Sequence, residues 1–154
     1  ESIQNNFSLL NPRFLDELST VCKKENISLL PYSPIAGGVL SGKYNNAFYP
    51  EDARFSAYMK HENPRVQAQA TRFVNDKTIA ATIKYLELAR EYGISPVTLA
   101  VAYSKHFDFV SSTIIGARTS EQLDESLKAF NFAIDNELLS KIELIQKEIL
   151  YPMG

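Results

Sequence analysis

Tryptophan is absent from this chain of 154 residues, cysteine occurs once and histidine twice. A single cysteine, Cys22, cannot close a disulfide within one chain, and no C-x-x-C pattern is present. Cys22 stands in an apolar-periodic segment and reads as a small buried hydrophobe. That usage agrees with a reducing compartment, and a cytoplasmic location is the expectation. His61 and His106 lie far apart and neither has a metal-ligand spacing, so no metal is expected. No apolar run approaches the length of a membrane span. Residues 1–20 lack the basic start and apolar core of a signal peptide. A net charge of −2 gives no reason to expect nucleic acid or an anionic membrane as partner. Glycine is modest and 45% of residues are apolar, which argues against disorder and supplies a core.

Apolar periodicity outlines the elements. Ile3 to Leu10 reads as a strand, broken by Asn11-Pro12. A helix follows from near Arg13 to about Asn26, with Phe14, Leu15, Leu18, Val21 and Cys22 at spacings of three and four. Ile27 to Tyr32 is an almost continuous apolar run, as in a parallel strand covered on both faces. Ser33 to Lys77 is long and irregular, rich in proline (Pro34, Pro50, Pro64) and glycine (Gly37, Gly38, Gly42). Connections of that length are usually functional or mobile. Asp76 to Tyr92 predicts a helix with a stripe of Ile79, Ala80, Ile83, Leu86 and Ala89, ended by Gly93 in a left-handed cap. Ser95-Pro96 opens another helix, to about Phe107. Phe109 to Gly116 is the third strand. Thr119 to Gln122 matches a capping box, and Leu123, Leu127 and Phe130 are expected to face the core. Asp135 caps a last helix to Ile149, with Leu138, Leu139, Ile142, Ile145 and Ile149 as its stripe.

Strands alternating with helices imply a parallel α/β sheet. Three strands leave two unpaired edges, and a complete (β/α)8 barrel needs about 250 residues. The chain therefore reads as a piece of a larger parallel fold. A small complete α/β sandwich has the same element order.

Ligands of parallel folds bind at the carboxyl ends of strands. Gln4 carries an amide that can pair with a carboxamide ligand, or it is an ordinary polar strand residue. In LPYSPIAGGVLSGKY, Leu30 to Tyr44, a strand runs into Tyr32 and Ser33, then a Pro/Gly turn, then Lys43. An aromatic at a strand end offers a face for ring stacking, glycines let backbone N–H groups approach anionic oxygens, and a lysine suits phosphate. Neither a P-loop nor a G-x-G-x-x-G fingerprint is present here. In IIGARTSEQLDES, Ile114 to Ser126, Arg118 stands just before a helix N-terminus, and Gln122, Glu125 and Ser126 share one face. That set fits an adenosine 2′-phosphate; a plain capping box beside a surface arginine is the other reading.

Together, YSPIAGGVLSGKY and IIGARTSEQLDESL resemble the two C-terminal cofactor segments of the aldo-keto reductase superfamily. The likeness is to the branch holding the potassium-channel β subunits and their bacterial relatives, and it covers nearly the whole chain. It implies the C-terminal part of a (β/α)8 TIM barrel, strands six to eight with their helices, over residues 1–154. The implied cofactor is NADP(H) and the implied activity is reduction of aldehydes or ketones. Gln4 would bind the nicotinamide carboxamide and Tyr32 would stack on its ring. Ser33, Ile35, Gly37 and Lys43 would line the pyrophosphate, with Arg54 as a further phosphate clamp. Gly116, Arg118, Gln122 and Glu125 would hold the adenosine and its 2′-phosphate. Ser126 stands where the family commonly has asparagine, and reaches less far toward adenine. The family's catalytic aspartate, tyrosine, lysine and histidine belong to the first half of the barrel, so no catalytic residue is assigned here. In particular Tyr44, Tyr49, His61 and His106 are not given those roles. The implied partners are the missing half of the barrel, or a second copy, and a small carbonyl substrate. A nucleotide-sensing subunit is the alternative function, and a non-catalytic fragment a further one.

Overall fold

The computed structural model describes residues 1–45 and 49–153. Strand β1 (Ser2–Asn6) pairs in parallel with β2 (Ser28–Tyr32), placing Gln4 opposite Leu30 and Asn6 opposite Tyr32. The first strand is shorter than the sequence implies. Past Asn6 the chain turns back, with the Ser8 and Asn11 backbones bonded to each other and the Asn11 amide donating to Asn6 Oδ1 at 2.9 Å. Phe7 is turned into an aromatic cluster instead, 5.5 Å from Tyr103 and 6.2 Å from both Phe14 and Phe109.

The third strand is also reduced. Phe109 to Gly116 runs beside β2 but makes only the bridges Leu29↔Val110 and Tyr32↔Ile114. Between those bridges it takes one residue more than β2, so the ladder breaks as at a β-bulge. The segment still reaches the sheet, with Ile114 N–H donating to the Pro31 carbonyl at 2.8 Å.

Helix α1 (Leu18–Glu25) is preceded by a 3-10 turn over Arg13–Leu15 and ends at Asn26 in the left-handed conformation. The stretch expected to be irregular holds three helical pieces: a kinked 3-10 segment, Ala36–Ser41, then α2 (Arg54–Met59) and α3 (Pro64–Phe73). The start of α3 was legible, since Asn63 caps it by accepting from Arg65 N–H at 2.9 Å and Pro64 takes its first turn. Aromatic packing holds these pieces down. Phe55 stacks on Phe73 at 4.8 Å, and Tyr44 lies 5.8 Å from Phe55 while its hydroxyl accepts from Phe55 N–H.

Helix α4 (Asp76–Glu91) starts with a reciprocal capping box of Asn75 and Thr78. It buries Thr78, Ala81, Thr82, Tyr85, Leu88 and Ala89, a face rotated from the expected stripe, so Ile83 is exposed. Tyr85 decides the rotation: its large ring is buried and its hydroxyl donates to the Leu9 carbonyl at 3.2 Å. Helix α5 (Pro96–Lys105) is capped by Ser95 and is buried over almost its whole length. Helices α6 (Ser120–Leu127) and α7 (Asn136–Glu148) are capped by Thr119 and Asp135. The last helix buries Leu138 and Ile142 from its expected stripe. Cys22 is buried, as expected of a small hydrophobe.

Three features differ together from the sequence expectation. Leu29 and Pro31 of β2 are buried, but Tyr32 on the opposite face is 42% exposed and Gln4 on that face is exposed too. Among the described residues, that face is less buried than the one carrying Leu29 and Pro31, although Asn6 on it is buried. Leu18 and Val21 of α1, expected in a buried stripe, are exposed. So are Leu123 (40%), Leu127 (51%) and Phe130 (81%), expected to face the core. Among the described residues, the Tyr32 side of the sheet, α1 and the α6 region through Phe130 thus carry exposed apolar side chains. Among the described residues no helix is long and apolar enough to cross a membrane.

Candidate functional site

A cavity of about 750 Å³ opens at the carboxyl ends of β2 and the third segment. Its first wall is the turn after β2. Tyr32 ends the strand with its ring half-open to the cavity. Ser33 then takes φ 59° and Ala36 φ 49°, both in the left-handed region. Such residues are strained by about 1–3 kcal/mol each and persist where the surroundings over-determine them. Here the determinants are visible. Ser33 carbonyl accepts from Ala36 N–H at 2.8 Å, Ser33 Oγ accepts from Gly37 N–H at 3.1 Å, and Ile35 carbonyl accepts from Gly38 N–H at 2.9 Å.

Two glycines have specific reasons to be there. Gly38 has φ 96°, and a Cβ on it would stand 2.6 Å from Lys43 Cε and 2.7 Å from Nζ. Gly37 has φ 63°, and a Cβ would stand 2.6 Å from the Phe55 ring. The first vacancy seats the Lys43 side chain against the turn; the second seats α2 on it.

The second wall is the turn into α6. Thr119 Oγ1 accepts from Gln122 N–H at 3.4 Å. The reciprocal half of the expected capping box falls one residue earlier, where Gln122 Oε1 accepts from Arg118 N–H at 3.0 Å. That bond fixes the Arg118 backbone and leaves its guanidinium free to reach across the cavity mouth. There Arg118 Nη1 donates to the Asp52 carbonyl at 2.5 Å and lies 3.6 Å from the Asp52 carboxylate. Ser126 is buried, and its hydroxyl donates to the Gln122 carbonyl at 3.0 Å, so it meets the cavity as an acceptor only.

The roof comes from the stretch between β2 and α4: Pro50, Asp52, Ala53 and Arg54 at the start of α2, and Gln69 and Phe73 of α3. The cavity is cationic. Lys43, Arg54 and Arg118 all line it, against Asp52 as the one carboxylate among the described lining residues. Burial holds the Lys43 ammonium below the usual lysine range; Asp52 opposes that shift, while Arg118 and Arg54 add to it.

Of the twelve residues expected at a cofactor site, Tyr32, Ser33, Ile35, Gly37, Lys43, Arg54, Gly116, Arg118, Gln122 and Ser126 line this one cavity. Gln4 is on the same sheet face as Tyr32 but outside the lining, and Glu125 is outside it too. Asp52, Gln69, Phe73 and Val101 line it without having been singled out. The capped start of α3 could have drawn notice to Gln69 and Phe73; nothing local marked Asp52. Tyr44 is buried, and His61 Nδ1 accepts from Asn63 N–H at 3.0 Å on the surface. Among the described residues no cluster of histidine, cysteine or carboxylates could hold a metal.

Parallel strands with a cavity lined by Lys43, Arg54 and Arg118 at their carboxyl ends define a parallel α/β fold. The chain belongs to the aldo/keto reductase family, whose profile matches residues 1–147. It is 32% identical over 151 residues to protein tas of Escherichia coli, covering 98% of this chain and 41% of that protein. It is 34% identical over 121 residues to a probable voltage-gated potassium channel subunit beta of Arabidopsis thaliana, covering 77% of this chain and 35% of that one. The expected branch is therefore the right one. The structure of a glycerol dehydrogenase from Gluconobacter oxydans superposes with a TM-score of 0.72 at 22% identity, over 97% of this chain and 43% of that one. The fold is that of part of an aldo/keto reductase barrel. The chain spans less than half the length of these relatives.

Proposed function

We propose that the chain is the C-terminal, NADP(H)-binding half of an aldehyde- or ketone-reducing enzyme, contributing barrel strands six to eight. The observation that carries this is the convergence of Lys43, Arg54 and Arg118 on one cavity that opens beside the exposed face of Tyr32. A dinucleotide with a 2′-phosphate needs an aromatic platform at one end and several cations at the other. Tyr32 would stack on the nicotinamide, with Gln4 further along the same sheet face for its carboxamide. Ser33, Ile35, Gly37 and Lys43 would line the pyrophosphate, beneath Arg54. Arg118 would grip the 2′-phosphate, with Gly116 and Gln122 beside the ribose; Gln122 lines the cavity where Glu125 does not. Ser126 would accept a hydrogen bond from the adenine side.

When bound, the nicotinamide supplies a hydride to the carbonyl carbon. This chain's part is to bind, to orient one ring face and to shield the phosphates from water under the α2–α3 roof. The proton donor lies on other parts of the barrel. Those parts would also cover the Tyr32 side of the sheet and the apolar side chains at Val21 and Phe130. Burying such side chains is worth roughly 1.5–3 kcal/mol each.

Titrating the complete protein, in which this chain meets the rest of the barrel, with NADPH and following nicotinamide fluorescence tests the reading. Saturable binding is expected; none at millimolar NADPH would end it. The second reading is a nucleotide-sensing subunit, favoured by the identity to the potassium channel subunit beta. It has the same NADPH binding but no turnover of carbonyl compounds.

A further inference from the structure

Nothing in the proposed cofactor complex uses the segment after α7 or the amide of Asn75. Helix α3 brings Gln69 and Phe73 to the cavity, yet of its ten residues it fully buries only Ala70. An element with so few buried contacts opens locally at low cost. The carbonyls of its last turn also lack partners within the helix. The Asn75 amide takes two of them: Nδ2 donates to the Thr71 carbonyl at 3.3 Å and to the Arg72 carbonyl at 3.2 Å. The same Nδ2 donates to the Pro152 carbonyl, 77 residues away, at 3.4 Å. The oxygen of that side chain is committed to α4, where Oδ1 accepts from Thr78 N–H at 3.0 Å. One amide thus joins the end of the roof helix, the start of α4 and the segment after α7.

That segment is itself pinned. Tyr151 has φ 46°, in the left-handed region, which a tyrosine holds only where its surroundings impose it. Its hydroxyl donates to Asp16 Oδ2 at 3.0 Å, and the Arg13 guanidinium lies 4.7 Å from its ring centroid. Pro152 is buried, and Met153 is 1% exposed. We propose that residues 150–153 form a strap that positions the roof of the cavity through Asn75. Tyr151 and Met153 fix the strap, the Pro152 carbonyl fixes the Asn75 amide, and Asn75 fixes the last turn of α3. Asn75 and Tyr151 are positioning residues, since neither lines the cavity. Releasing the strap frees α3 and opens the roof, while the walls at Tyr32 to Lys43 and at α6 stay in place.

Amide hydrogen exchange of the complete protein without ligand tests the strap independently of the cofactor reading. Asn75→Asp keeps the oxygen that caps α4 and removes the N–H groups that reach α3 and Pro152. Amides of the last turns of α3 are expected to exchange at least about tenfold faster in this variant, with the first turn of α4 unchanged. Tyr151→Ala is expected to give the same pattern from the other end of the strap. Tyr151→Phe loses only the bond to Asp16, and is expected to give a smaller rise at the same amides; it carries the test if Tyr151→Ala does not fold. Exchange in α3 that the Tyr151 variants leave unchanged would overturn the proposal, as would a rise spread evenly over α4, α5 and α7. In stopped flow, NADPH is expected to leave the Asn75→Asp protein at least about threefold faster, as for a ligand under a loosened lid. Unchanged release beside faster α3 exchange would overturn the strap's role at the cavity. If the unmodified protein binds no NADPH, the cofactor reading fails and the exchange data alone decide the strap.

Discussion

Arg118 reaches across the cavity mouth to Asp52, donating to its carbonyl at 2.5 Å and lying 3.6 Å from its carboxylate. The two residues are 66 positions apart in the chain. One stands at the turn into α6 and the other just before α2, so the contact joins the wall of the site to its roof. Both side chains are largely exposed, and exposed pairs contribute about 0–1 kcal/mol. Its weight is therefore in the site's charge and closure rather than in stability.

In the proposed complex, the Asp52 carboxylate competes with phosphate for Arg118. Asp52→Asn is expected to tighten NADPH severalfold at low salt, with the gain shrinking as salt screens the charges. Fluorescence titration at two ionic strengths checks this. Weaker binding in the variant would mean that Asp52 acts as a latch over the cofactor instead.

Arg118→Glu reverses the charge assigned to the 2′-phosphate. NADPH binding is expected to weaken by at least about tenfold more than NADH binding, since only the former carries that phosphate. Equal losses for both nucleotides would remove the assignment.

Gly38→Ala and Gly93→Ala separate strain from site geometry. Both glycines have positive φ, 96° and 65°, but a Cβ at Gly93 meets nothing within 4 Å while one at Gly38 strikes Lys43. Each substitution is expected to cost about 1–3 kcal/mol in denaturant melts of the complete protein. Only Gly38→Ala is expected to weaken NADPH as well.

Lys43 also sets a pH dependence. Its folded-state pKa is lowered, mainly by burial, so between that value and the unfolded value of 10.5 the unfolded chain binds more protons. Stability from this group therefore rises with pH in that window. Phosphate binding has the opposite sign, because it needs the ammonium. NADPH affinity is expected to fall as pH rises, beginning below the usual lysine range, and Lys43→Arg is expected to flatten that limb. A profile identical in the variant would rule out Lys43 as its source.

The exposed apolar side chains on the Tyr32 side of the sheet, on α1 and in the α6 region predict that the 154-residue chain by itself self-associates or melts without cooperativity. Leu127→Glu with Phe130→Glu is expected to reduce association. Size-exclusion chromatography and thermal melting test it; a monomer with one sharp transition would show that the exposed groups need no cover.

Much of the local structure was legible because its causes are local. Ser95-Pro96, Asp135 and Thr119 mark helix starts through hydrogen bonds made within a few residues, and each caps where expected. The two motifs that meet at the cavity were legible as well, Tyr32 to Lys43 and Gly116 to Ser126, because a turn's glycines and a helix N-terminus declare their chemistry in sequence. The α2 and α3 helices were missed between prolines and glycines, although Asn63-Pro64 is a readable start.

By itself, then, the sequence determined the helix caps, the parallel α/β pattern and the residues that face the cavity from each wall. Only the tertiary structure decided which faces are buried and which distant residues meet. Periodicity marks an apolar stripe but not whether a partner exists to cover it, so Leu123, Leu127 and Phe130 read as core and stand exposed. Nor does any short-range rule join Asp52 to Arg118. That pairing follows from how the α2–α3 stretch is folded back by Phe55, Phe73 and Tyr44 onto the turn at Gly37.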